Sequence, residues 1–125
     1  INAGSPYYGI RSVYDGRYRY IVNLTPEATF QNVETKSPLF KEWKRLAETD
    51  SHAKAMTTKY QHRPAIELYD VKNDPYCMKN LAEDAKQAST ISRLDKELKR
   101  WMKDCGDEGQ PTEMRAFEHM PGKRK

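Results

Sequence analysis

Few residues in this chain have both the type and the spacing that chemistry requires. The histidines, His52, His62 and His119, stand apart from one another and from Cys77 and Cys105, so none pairs at metal-ligand spacing. The two cysteines have no CxxC spacing for zinc or redox work and are too few for a disulfide scaffold. A single bridge between them stays open, because spacing does not establish geometry. Neither a GxSxG elbow nor a glycine-rich phosphate loop occurs. Glu67 and Asp70 lie three apart in a β-rich run, hence on opposite faces of a strand, where they cannot work as one acid/base couple. The expectation is a chain with no catalytic residue, no metal ligands and no cofactor of its own.

Binding chemistry is better represented. Arg17-Tyr18-Arg19-Tyr20 interleaves base and aromatic, the pairing that single-stranded nucleic acid platforms use. Strand alternation, however, sends the tyrosines to one face and the arginines to the other, which suits tyrosines in a core and arginines in solvent. Acidic residues are nearly as many as basic ones, 18 against 22, so no nucleic acid partner is expected. Lys123-Arg124-Lys125 reads as a solvated end. Asn23-Leu24-Thr25 is a glycosylation sequon, disfavoured by Pro26 directly after it.

The elements that position these residues follow from periodicity. Residues 10–14 and 17–22 are β-rich runs around Asp15-Gly16, which reads as a hairpin because glycine supplies the positive φ of a tight turn. Tyr18, Tyr20 and Val22 form its expected core face. Residues 24–36 are polar and without period, a long connection. Ser37-Pro38 starts a helix, serine as N-cap and proline at the first helical position, and Leu39, Trp43, Leu46 and Ala47 make one apolar stripe along it. A second short helix runs from about residue 51 to 60, capped by Asp50 or Ser51. Residues 65–71 form a third strand, with Ile66 and Leu68 on one face and Glu67 and Tyr69 on the other. The longest helix spans about 85–104, with Ile91, Leu94, Leu98, Trp101, Met102 and Cys105 at helical steps, Asp84 as cap and Gly106 as stop. Residues 109–125 read as an extended arm. The fold class is therefore α+β: a small antiparallel sheet, a long C-terminal helix packed on it, and one or two short helices in the connection.

Composition bounds the whole. In 125 residues with a formal charge of +4, only 19 are Ile, Leu, Val or Phe, about 15%, which by itself suggests a weak core. Thirteen aromatics, eight of them tyrosine, and a low net charge argue against disorder. No apolar run approaches the roughly 18 residues that span a bilayer, and the N-terminus lacks a signal-peptide pattern, so no membrane partner is expected. Scarce apolar residues and a first residue Ile1 rather than Met point to an excised piece of something longer. Tyrosine and tryptophan faces on the hairpin and helices are then expected to be partly exposed.

Two blocks carry a resemblance. Arg11-Ser12-Val13 followed by residues 15–24, and later Glu67-Leu68-Tyr69-Asp70, Asp74-Pro75 and Asn80-Leu81-Ala82, resemble the C-terminal portion of the sulfatase family. The second block, an ELYD…DP…NLA order, is the more specific. The match looks closest to the heparan N-sulfatase (sulfamidase) branch, through Tyr7-Tyr8 before Arg11, the Ser37-Pro38 helix start and the Trp101-bearing last helix. It covers about residues 7–108, so the expected organisation is a sulfatase-like C-terminal subdomain over 1–108 and a tail over 109–125. Gly9 stands where that branch tends to have proline. Cys77 stands where a DPxE pattern usually has glutamate, so a role of that glutamate does not carry over.

The resemblance implies a parent sulfatase, hydrolysing a sulfate ester or sulfamate with a formylglycine nucleophile and a calcium ion. The CxPxR-type motif that makes the formylglycine is not at Cys77 or Cys105. The chain would then be inactive alone, packed on the N-terminal catalytic domain, and helping to wall the pocket for a sulfated sugar. The compartment implied is an exported one, periplasmic, extracellular or lysosomal. Arg11 is the candidate substrate-binding residue, since a guanidinium suits bidentate contact with sulfate or uronate; an ion pair holding the hairpin to the missing domain is the other reading. An independent polyanion-binding or oligomerisation module is the alternative for the chain as a whole.

Overall fold

The computed structural model describes residues 8–115 and Glu118. Strands β1 (Ile10–Tyr14), β2 (Tyr18–Asn23) and β3 (Ile66–Asp70) form one antiparallel sheet in the order β1-β2-β3. Between β2 and β3 lie helices α1 (Pro38–Leu46) and α2 (Ser51–Gln61), and after β3 come α3 (Ala88–Asp104) and α4 (Gln110–Met114). Short 3-10 turns over Glu34–Lys36 and Ala85–Gln87 precede α1 and α3. The α+β class and the antiparallel sheet are as the sequence implies.

The hairpin closes where Asp15 and Gly16 make it close. The Asp15 carboxylate accepts from the backbone N–H groups of Arg17 (3.0 Å) and Tyr18 (2.7 Å), and Gly16 takes φ +99°, which a side chain would oppose. The register then sets Tyr20 between Val13 on β1 and Leu68 on β3. Alternation puts these three on one face, and α3 covers that face with Leu94 and Leu98. Tyr20 and Leu68 are 1% and 0% exposed. Burying a leucine of this kind stabilises by about 1.5–3 kcal/mol, and the Tyr20 hydroxyl avoids an unmet bond by donating to Asp95 at 3.2 Å. Burial, then the Asp95 carboxylate, push its pKa up to about 12.

The Ser37 and Asp50 caps form, while Asp84 caps the 3-10 turn before α3 through Lys86 N–H. The Ser37 hydroxyl accepts from Phe40 N–H at 3.1 Å, and Asp50 caps α2 through Ala53 N–H at 2.6 Å. The buried residue of α1 is Phe40, however, while Leu39, Trp43 and Leu46 of the apolar stripe stay about half exposed. Phe40 meets Tyr60 of α2, Tyr60 meets Phe30, and Phe30 meets Tyr8, with ring centroids 5.2–5.8 Å apart. This aromatic row is a second small core, and it draws Phe30 out of the stretch read as a polar connection. A backbone bond from Phe30 N–H to Gln61 C=O (2.8 Å) holds it there.

Two further readings change. Along α3, Ile91, Leu94, Leu98 and Met102 face the sheet, whereas Trp101 and Cys105 point outward. Cys77 and Cys105 are free thiols. The segment from Gly109 is not simply extended, since it carries α4; Gly109 takes φ +72° and Glu113 reaches β1. Residues 116, 117 and 119–125 of that arm, with His119 and Lys123-Arg124-Lys125, lie outside the described residues, as does Tyr7.

Candidate functional site

The face of the sheet turned away from α3 carries Arg19 and Ile21 from β2 and Glu67 and Tyr69 from β3. Helices α1 and α2 rise on one side of it and the turn over residues 74–79 on the other, enclosing a cleft of about 370 Å³. Its lining is mostly apolar and aromatic, with a few polar groups converging on it, the usual make-up of a small-ligand site.

Each polar group is placed by a separate device. In the floor, Glu67 is buried, and its two oxygens accept from Asn23 Nδ2 (2.8 Å) and the Tyr69 hydroxyl (2.5 Å). Burial, then the bond to Glu67, raise the Tyr69 pKa well above its ordinary value, so this phenol stays protonated as a donor. Lys59, on α2, donates Nζ to the carbonyls of Cys77 (2.5 Å) and Met78 (2.9 Å), tying helix to turn, and lies 5.2 Å from the Tyr69 ring. The turn itself is made by Asp74, which accepts from Lys79 N–H at 2.8 Å, and it passes through Cys77 in a left-handed conformation, φ +53°. Arg63, just past α2, lies with its guanidinium 4.4 Å over the Phe30 ring.

Asn80 closes the turn back onto the sheet. Its Oδ1 accepts from Leu68 N–H (2.9 Å), its Nδ2 donates to Ile66 C=O (3.3 Å), and Leu81 N–H bonds Leu68 C=O (2.8 Å). The amide thus mimics one more strand residue on the free edge of β3. Asn80 thus ties the backbone of β3 at the sheet edge, just before Leu81 docks.

Arg11 belongs to a different place. It pairs with Val22 in register and so points to the α3 face, opposite the cleft. There Nε and Nη2 bond the two oxygens of Asp107, the second at 3.2 Å, and Nη1 and Nη2 reach Glu113 Oε2 at 3.3 and 3.2 Å. All three side chains are mostly buried. The Arg11 hydrogen bond holds the Asp107 carboxyl below its usual range, and Asp107 in turn raises the arginine. Arg17 is likewise paired, to Asp70 at 2.7 Å, so the two arginines of the hairpin strand are not one patch. Asn23, the sequon residue, is 2% exposed and donates to Pro64 C=O and Glu67, leaving no path for a glycan in the folded chain. Sequence reading missed Lys59 and Arg63 as cleft residues; the one available signal was Arg19 on the strand face opposite Tyr20.

No family model matches the chain. Among curated proteins it is similar to two ulvan-active sulfatases of Formosa agariphila, 34% identical over 108 residues and 33% over 98. These alignments cover 83% and 78% of this chain. The chain spans 18% of the length of each relative. The similarities support a sulfatase C-terminal region and lend nothing to the heparan N-sulfatase branch.

Proposed function

We propose that this chain is the C-terminal region of a sulfatase, docks on that enzyme's catalytic domain and helps to wall its substrate pocket. The observation that carries the reading is the similarity over four-fifths of the chain to a fraction of two sulfatases. The exposed Leu39 and Leu46 of α1, on the same helix as the cleft-lining Trp43, support a docking face beside the cleft mouth.

The parent is proposed to cleave a sulfate from a saccharide, with formylglycine and calcium as its reactive groups. The residues here do not fit those groups: among the described residues no cluster of three His, Cys, Asp or Glu side chains is placed to hold a metal ion, and neither cysteine sits in a CxPxR pattern. They would come from the catalytic domain. The relatives are named as sulfatases active on ulvan, and we propose a sulfate ester as the parent's linkage. The sulfamate of the heparan N-sulfatase branch rests only on the short motifs around Tyr7 and Ser37 and the Trp101-bearing helix. An exported compartment is proposed for the parent, in line with the resemblance; among the described residues no helix is long and apolar enough to cross a membrane.

Arg11 we assign to holding β1 against the segment after α3, because Asp107 and Glu113 already occupy its guanidinium. The test pairs this chain with its upstream region. Turnover of an aryl sulfate by the joined protein and none by the chain alone is the expected result. Enzyme-like turnover by the chain alone, or an upstream sequence with no CxPxR or SxPxR motif, overturns the reading.

A further inference from the structure

The arginines divide sharply by their surroundings. Eight lie among the described residues, and Arg11, Arg17, Arg45, Arg93, Arg100 and Arg115 each form an ion pair with a carboxylate. Arg19 and Arg63 form none among the described residues, and both line the cleft. Among the described residues their contacts are with rings and a carbonyl: Arg19 lies 5.8 Å from the Tyr14 ring centroid, and Arg63 lies over Phe30, 5.9 Å from the Tyr60 ring, and reaches Tyr60 C=O at 3.5 Å. The cleft's other charges are already engaged, Glu67 by Asn23 and Tyr69, and Lys59 by two carbonyls. With three cations against one carboxylate the cleft is positive, and its two spare cations are both guanidiniums.

We propose that the cleft is a binding site for a hexose unit carrying an anionic substituent, a sulfate or a carboxylate. Arg19 and Arg63 are its anion contacts, and Trp43 and Tyr76 offer ring faces to the sugar. A guanidinium presents a planar fork of donors that matches either oxyanion bidentately. Trp43 is half exposed and Tyr76 is 84% exposed at the rim, so both rings are open to a ligand. The volume of about 370 Å³ falls in the range of small-molecule sites. The choice of a saccharide among anions rests on the sulfatase reading; the choice of an anion rests on the cleft alone.

The experiment titrates the full chain, followed by NMR or calorimetry, with galactose 6-sulfate, glucuronate, inorganic sulfate, galactose and an aspartate-containing peptide. Saturable binding of galactose 6-sulfate or glucuronate is expected, at least about tenfold tighter than inorganic sulfate or galactose, and weakened by salt. The two anionic sugars tell sulfate from carboxylate recognition. Arg19→Gln and Arg63→Gln should each lose about tenfold in affinity, and Arg17→Gln should not. Arg63→Lys, which keeps the charge and the stem over Phe30, serves where the glutamine variant melts early, and it too should bind more weakly because the fork is gone. Equal binding of inorganic sulfate, preference for the peptide, or no saturable binding overturns the proposal. Each of these leaves the sulfatase reading standing, since that reading is decided by turnover of the joined protein.

Discussion

At the scale of single residues, the chain separates arginines paired to carboxylates from Arg19 and Arg63, which have no such partner among the described residues. Arg11 looked from sequence like the best substrate contact, but its two carboxylates lie 96 and 102 positions away, beyond α3. Nothing local announces such a pairing; it depends on the segment after α3, with Gly106 and Gly109 at positive φ, bringing Asp107 and Glu113 to β1. Gly9 lies against it: a Cβ there would fall 2.8 Å from Leu24 Cδ1 and 3.0 Å from a Glu113 oxygen, so a side chain at this position would have to displace those side-chain ends. Arg11→Ala should leave Asp107 and Glu113 mostly buried without their cation, a loss of about 2–3 kcal/mol read as a lower urea midpoint. The sulfatase KM of the joined protein should stay unchanged at temperatures where the variant is folded. A raised KM with unaltered stability would return Arg11 to the substrate.

At the scale of elements, what could be read was what is local. The Asp15-Gly16 turn, the Ser37-Pro38 start and the Asp50 cap each need only three or four neighbouring residues, and all three form. The face each helix buries was harder to read. Periodicity marked Leu39, Trp43 and Leu46 as the apolar stripe of α1, yet burial falls on Phe40 because the aromatic row running through Tyr60 and Phe30 meets that side. The row is assembled from four separate stretches, so no window of sequence contains it. On the hairpin, Tyr20 lies buried under α3 on the expected core face, while Tyr14, Trp43 and Trp101 are exposed as expected. If the α1 stripe is the docking face, Leu46→Glu should leave the chain's own stability within about 0.5 kcal/mol, as for an exposed position. The same change should abolish co-elution with the separately produced catalytic domain. Co-elution at the affinity of the unchanged chain would remove α1 from the interface.

At the scale of the whole molecule, a sheet of three short strands with few aliphatic residues is held to its surroundings by charge as well as by packing. Asp15 in the hairpin turn pairs with Arg93 on α3, and Asp70 at the end of β3 pairs with Arg17. Both carboxyls are held down to about 2 from an ordinary 3.8, Asp15 chiefly by Arg93 and Asp70 chiefly by Arg17. Asp107 is lowered as well by Arg11. An acid whose pKa is lower folded than unfolded binds fewer protons in the native state. Its contribution is therefore fully present above about pH 4 and is lost as the pH falls toward 2. Three such acids tie the hairpin and β1 to β3, α3 and the segment beyond it, so acid should loosen the sheet from its helix rather than fray one end. The urea midpoint should be flat from pH 7 to 5 and fall steeply between 4 and 2. Asp70→Asn should lower the plateau and make the fall shallower, because one acid no longer titrates. An equally steep fall in that variant would show that the acid sensitivity comes from other carboxylates than these paired ones.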